Sequence, residues 1–178
     1  MQAHRQGDGG SGSRAEQREF LSDEKLRQGI ELLFFAYRDF TGDPDVVLAE
    51  RGLGRAHHRT IHFIKRRPGI TVAGLLDILQ ITKQSLNRVL RQLRAEDLVT
   101  SKPGEADRRQ RNLYLTQAGE AMERELSSLQ RARFCRAYSE AGPEAVAGFR
   151  KVLERMIDEE DRADIMTIVR QGGEQGGR

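Results

Sequence analysis

The chain has 178 residues, a formal net charge of +3, one cysteine and no tryptophan. A mean hydropathy of −0.65, with no apolar run of membrane length, excludes a helical membrane span. The lone Cys135 excludes an intramolecular disulfide framework. The N-terminus lacks the apolar stretch of a signal peptide, so a reducing cytoplasm is the expected location.

Residues 1–22, punctuated by Gly7, Gly9, Gly10 and Gly12, read as a disordered tail that buries too little apolar surface to offset its ordering entropy. A helix is expected from Asp23, with Leu26, Ile30, Leu33, Phe34 and Tyr37 on one stripe. Gly42 is expected to break it, and Asp43-Pro44 to start a short helix through Glu50 as N-cap and first helical residue. Residues 23–54 thus form one set of N-terminal helices. A further helix is expected over Arg55 to Arg66, stopped by Pro68-Gly69. Thr71 caps a short helix over Val72 to Leu79, and Thr82 caps the next after very few residues, the spacing of a helix-turn-helix.

In the Thr82 helix, Leu86, Val89, Leu90 and Leu93 recur at i, i+3, i+4 and i+7 and should face inward. That leaves Lys83, Gln84, Ser85, Asn87, Arg88 and Arg91 outward, with no acid before Glu96. Arginine can bond guanine O6 and N7 in a fork, and Asn or Gln can do the same to adenine. Two short β-tolerant pieces follow, Leu98 to Lys102 and Arg111 to Thr116, separated by a turn signal at Pro103-Gly104 and a loop carrying Asp107, Arg108 and Arg109. Arginines on a hairpin tip suit a minor groove and its phosphates, and Asp107 is placed to orient a guanidinium. Between Arg55 and Thr116 there are thirteen Lys and Arg against five acids, a net +8 that leaves −5 for the rest of the chain. A basic centre between acidic flanks suggests one polyanion-facing lobe and another with a separate task.

Asp107-x-Arg109, five residues, then Leu115-Thr116-x-x-Gly119 resembles the wing pattern of MarR-type winged helix-turn-helix regulators. The Asn87-Arg88 helix before it is similar to their recognition helix. The likeness runs from about Leu26 to Arg170, and Gly54-Arg55-Ala56-His57-His58-Arg59 with His62 looks like one alphaproteobacterial branch of the family. The fold so implied is mainly α with a small β-hairpin wing: a winged helix-turn-helix over residues 55–116 plus a helical dimerisation lobe. The implied function is a homodimeric transcription factor, usually a repressor, often released by a small ligand or an oxidant. In such regulators a ligand sits between the two lobes. Here that would involve Phe34, Tyr37, Arg38, His58 and His62, which suit a small aromatic or anionic effector.

After Thr116 a long helix is expected, with Ala118, Met122, Leu126 and Leu129 on its stripe. Gly142-Pro143 interrupts it, and a last helix runs from about Pro143 to Gln171. Residues 117–171 and 23–54 supply more amphipathic helix than one small winged domain needs, so the expected partners are duplex DNA and a second copy. Residues 172–178 read as a frayed end.

Duller readings accompany these. The wing arginines and the outer helix face could be merely solvated. His58 and His62, at i and i+4, could share a metal, but no further ligand accompanies them, and structural or ligand-pocket histidines fit better. No metal or cofactor is expected. Cys135, between Arg133 and Arg136, could sense oxidants or act as a small hydrophobe. Redox or metal sensing on the same fold, or a winged helix serving protein contacts, are the alternatives. No hydrolase, phosphate-loop, zincin or dinucleotide motif is present, so no catalysis is expected.

Overall fold

In the computed structural model the described residues are 19–104 and 108–174. Helix α1 spans Asp23–Ala49. It begins with Asp23 and Glu24, carboxylates placed where the helix dipole favours them. The expected break at Gly42 does not occur: α1 runs through both Gly42 and Pro44. An interior proline removes one backbone hydrogen bond and ordinarily costs about 3 kcal/mol. Here Pro44 is fully buried and Leu48 is 0% exposed, so packing offsets the local propensity.

The chain divides into two units, Met1–Gly42 and Asp43–Arg178. Within the first, Leu26, Ile30, Leu33, Phe34 and Tyr37 are all exposed. The Thr41 hydroxyl bonds the Tyr37 and Arg38 carbonyls at 3.0 and 3.1 Å.

The second unit contains α2 (Arg55–Arg66), β1 (Ile70–Thr71), α3 (Val72–Leu79), α4 (Lys83–Ala95), β2 (Val99–Pro103), β3 (Arg111–Leu115), α5 (Gln117–Met156) and α6 (Glu159–Glu174). Its core joins Leu48, Ile61 and Ile64 to Leu75, Leu86 and Leu93, and to Leu98, Leu113 and Leu126. The strands form one antiparallel sheet in the order β1-β3-β2. β1 escaped the sequence reading, which saw Thr71 only as a cap. Thr71 does cap α3, accepting from Gly74 N–H at 3.1 Å, but it also pairs with Asn112 of β3. A two-residue strand has no local signal, because its partner lies far along the chain.

Helix α5 bends at Gly142, whose φ of +81° lies in the left-handed region open to glycine. The expected last helix from Pro143 to Gln171 is split. α5 continues past Pro143 to Met156, Ile157 is extended (φ −73°, ψ 136°), and α6 starts at Glu159. Two features stabilise the break. Arg162 donates to the Glu154 and Ile157 carbonyls at 3.0 and 2.8 Å, satisfying backbone acceptors at the end of α5. Glu159, Glu160 and Asp161 occupy the first turn of α6, where carboxylates are favoured. Among the described residues, no helix is long and apolar enough to cross a membrane.

Candidate nucleic-acid interface

α4 is built as its periodicity demands. Thr82 caps it, its hydroxyl oxygen accepting from Ser85 N–H at 3.2 Å. Leu86, Val89, Leu90 and Leu93 are all at most 3% exposed. Lys83, Gln84, Ser85, Asn87, Arg88 and Arg91 are all exposed, so the outer face presents donors and amides and no carboxylate. The preceding helix ends in a left-handed cap at Gln80 (φ +50°), which turns the chain sharply into α4.

The wing follows at once. β2 and β3 pair from Val99↔Leu115 to Pro103↔Arg111, and Gly104 N–H donates to Gln110 O at 3.0 Å near the tip. Lys102, Arg108, Arg109 and Arg111 are exposed. The Lys102 ammonium lies 5.2 Å from the Tyr114 ring centroid, a cation–π distance that holds the cation on the strand near the tip of the wing. Asp107 lies outside the described residues.

Thr116 joins wing to helix. Its hydroxyl donates to Asp97 O at 2.5 Å, and the same oxygen caps α5 by accepting from Gly119 N–H at 3.0 Å. Gly119 is required sterically: a Cβ there would stand 2.0 Å from the Leu98 carbonyl oxygen. Thr116 and Gly119 are therefore one device that seats the start of α5 against Asp97 and Leu98, just before β2.

The basic centre is not all available for contact. Arg55 pairs with Asp45 at 2.7 Å and Lys65 with Glu120 at 3.0 Å. Lys65, near the end of α2, thus helps hold α5, while the cations of α4 and the wing are exposed.

A MarR-family profile matches residues 51–110. The HTH-type transcriptional regulator PetP of Rhodobacter capsulatus is 60% identical over 139 residues, covering 78% of this chain and 84% of that protein. The chain belongs to the MarR family. A crystal structure of a MarR family transcription regulator shares the fold at a TM-score of 0.66 and 19% identity, covering 86% of this chain and 98% of that one. Streptococcus pneumoniae FabT, solved in complex with DNA, does so at 0.65 and 21% identity, covering 74% and 94%. The mainly helical fold with its small winged sheet is that of the family.

In this MarR-family regulator the five residues considered for an effector stand in different settings. Phe34 and Tyr37 are exposed on α1, and Arg38 Nε bonds Asp39 at 2.8 Å while its guanidinium lies 5.0 Å from the Phe35 ring. His58 is 8% exposed, and burial holds it below the ordinary histidine pKa, with His62 adding to that effect. His62 Nδ1 stands 3.6 Å from Glu123 Oε1. That contact, against burial and aided by a hydrogen bond from Ser127, keeps the Glu123 carboxyl below its ordinary range. Among the described residues no group of three or more His, Cys, Asp or Glu is gathered for a metal. Cys135 is an exposed free thiol on α5.

Two residues that sequence reasoning left out of the interface touch its frame. His57 Nε2 lies 3.0 Å from Gln92 Oε1, and Gln92 Nε2 donates to Gly52 O at 2.9 Å. One local signal was available: His57 is the third residue of a helix capped by glycine, a place where a side-chain acceptor can reach back to the cap N–H.

Proposed function

We propose that this transcriptional regulator binds a pseudo-palindromic duplex site as a homodimer in the cytoplasm and acts by occupancy rather than catalysis. Residues 55–116 carry DNA contact, and the helices of 23–54 and 117–171 join two copies. In this reading α4 enters the major groove, with Gln84, Ser85, Asn87, Arg88 and Arg91 toward base edges. Thr82, Lys83, Lys102, Arg108 and Arg109 hold phosphates or the minor groove, and Asp107 orients an arginine. The observation that carries it is the outer face of α4: exposed Lys, Gln, Asn and Arg with no acid, opposite a fully apolar buried face. A surface evolved for protein contact would instead expose apolar anchors there.

Selection from a random duplex library at two salt concentrations tests it. The expected result is enrichment of an inverted repeat with half-sites about one helical turn apart and affinity that falls steeply with salt. Salt-sensitive binding without enrichment would contradict base readout, and no binding at low salt would contradict the whole reading.

Repression relieved by a small aromatic or anionic effector is a separate part of the proposal. It is supported by the exposed rings of Phe34 and Tyr37 on the same stretch of α1 as the exposed Arg38. Titration of the selected operator complex with an aromatic carboxylate should release DNA, and substitution of Arg38 by Ala should blunt the release. Release that is equal in the variant would contradict Arg38 as a contact.

A further inference from the structure

Four hydrogen-bonding groups close a ring at the back of α4. Gln92 Nε2 donates to the Gly52 carbonyl at 2.9 Å. A carbonyl only accepts, so this fixes the amide orientation and turns Gln92 Oε1 toward His57. His57 Nε2, 3.0 Å away, must then carry the proton. Its Nδ1 is left as an acceptor, and Gly54 N–H donates to it at 3.1 Å. One tautomer and one amide rotamer satisfy every member. The neutral imidazole that the ring requires is the favoured form, because burial, helped by the nearby Arg88 cation, pushes the His57 pKa below its ordinary value despite the Gln92 bond.

The position of the ring gives it a task. Gln92 lies one turn after Arg88 and next to Arg91, both on the outer face. The inner face of α4 is Leu86, Val89, Leu90 and Leu93. Apolar packing of this kind is non-directional and tolerates small rotations and slides, whereas hydrogen bonds to fixed backbone groups do not. The loop that supplies those groups is itself tied down, with Gly52 N–H donating to Ala49 O at 3.0 Å and Leu53 N–H to Leu48 O at 2.9 Å.

From this we infer that His57 and Gln92 are positioning residues, a polar clamp that fixes the rotation and register of α4 so that Asn87, Arg88 and Arg91 meet defined bases. The inference rests on α4 being the reading helix. It assigns specificity to two residues that themselves touch no DNA.

The test compares wild type, Gln92→Met and His57→Asn on the selected operator and on its single-base variants at one salt concentration, with thermal unfolding and the salt slope measured alongside. Gln92→Met keeps the length of the side chain and removes both bonds. His57→Asn keeps an acceptor for Gly54 N–H but cannot reach Gln92, so it preserves the helix cap and breaks only the clamp. Both variants should lose discrimination between operator and single-base variants by roughly tenfold, with an unchanged salt slope because phosphate contacts persist. Discrimination equal to wild type in a folded His57→Asn or Gln92→Met variant would overturn the clamp. A uniform fall in affinity tracking a lower melting temperature would overturn it as well, since that marks a merely structural role. If Gln92→Met fails to fold, His57→Asn and the wild-type imidazole ¹⁵N shifts still decide: a His57 that is not the Nε2–H tautomer overturns the ring. Wild type with no base preference would sink the base readout on which the clamp rests, an outcome distinct from a selective wild type whose variants stay selective.

Discussion

Gly119 shows what a single residue can enforce. It follows the Thr116 cap by one helical turn, and a methyl group there would overlap the Leu98 carbonyl oxygen at 2.0 Å. That oxygen cannot retreat freely, because it accepts from Thr116 N–H at 3.1 Å. Gly119→Ala is therefore expected to destabilise by roughly 3 kcal/mol, seen as an earlier urea midpoint at an unchanged m-value. An alanine variant of wild-type stability would show that the approach of α5 to Leu98 is not as close as described. In the proposed interface the roles are also assigned residue by residue. Arg109→Ala should weaken binding to all duplexes and reduce the salt slope by about 1, whereas Asn87→Ala or Arg88→Ala should relax preference at one base by about 1–3 kcal/mol. Competition binding on operator variants separates the two. Equal loss without any change of preference for all three would contradict the assigned roles.

Among the elements, α2 joins α4 to the long helix behind it. His57 ties it to α4, and His62 faces Glu123 of α5. Folding places all three of His57, His58 and Glu123 below their ordinary pKa values. The sign follows from proton counting. For each histidine the unfolded chain binds a proton near pH 6.5 while the folded one does not, so stability is fully present above that pH and declines as pH falls toward the depressed folded value. Glu123 acts in the same direction in a lower window: its contribution is present above the ordinary carboxylate range and disappears as pH drops through the folded pKa. Urea midpoints should therefore fall from pH 7 to pH 5.5 through the histidines, and His58→Gln should flatten that stretch. A flat wild-type profile would contradict the buried neutral histidines. These couplings also mark what the sequence could tell. The caps at Thr71 and Thr82 were legible because donor and acceptor lie within three residues. The face of α4 was legible because one period sorts inner from outer. The His57–Gln92 contact joins residues 35 apart and could not be read from spacing. The continuity of α1 through Gly42 and Pro44 was likewise hidden, since it depends on burial of Pro44 rather than on local propensity.

At the scale of the molecule, the apolar surface left uncovered by a single chain follows helical period. On α1 it includes the stripe Leu26, Ile30, Leu33, Phe34 and Tyr37, with Ile30 at 69% exposure, together with Leu32 and Phe35 off that stripe. On α5 beyond Gly142 it is Phe149, Val152, Leu153 and Met156, at i, i+3, i+4 and i+7. The regular spacing on α5 is the pattern of a helix face that packs against something, and on α1 the density of exposed large apolar side chains points the same way. In a two-fold dimer the same stripe meets its own copy, so one charge introduced per chain enters the interface twice. Ile30→Asp and Val152→Asp alter the two stripes separately, and neither residue lies on the α4 face or the wing. Each is expected to shift sedimentation at micromolar concentration from dimer toward monomer. Operator affinity should fall with it, because binding two half-sites through one dimer multiplies their contributions, whereas a monomer holds one. Salt-sensitive binding to nonspecific duplex should persist, since α4 and the wing are untouched. A monomeric variant that kept full operator affinity would show that the half-sites are read independently, and a variant that stayed dimeric would show that its stripe faces solvent or another partner.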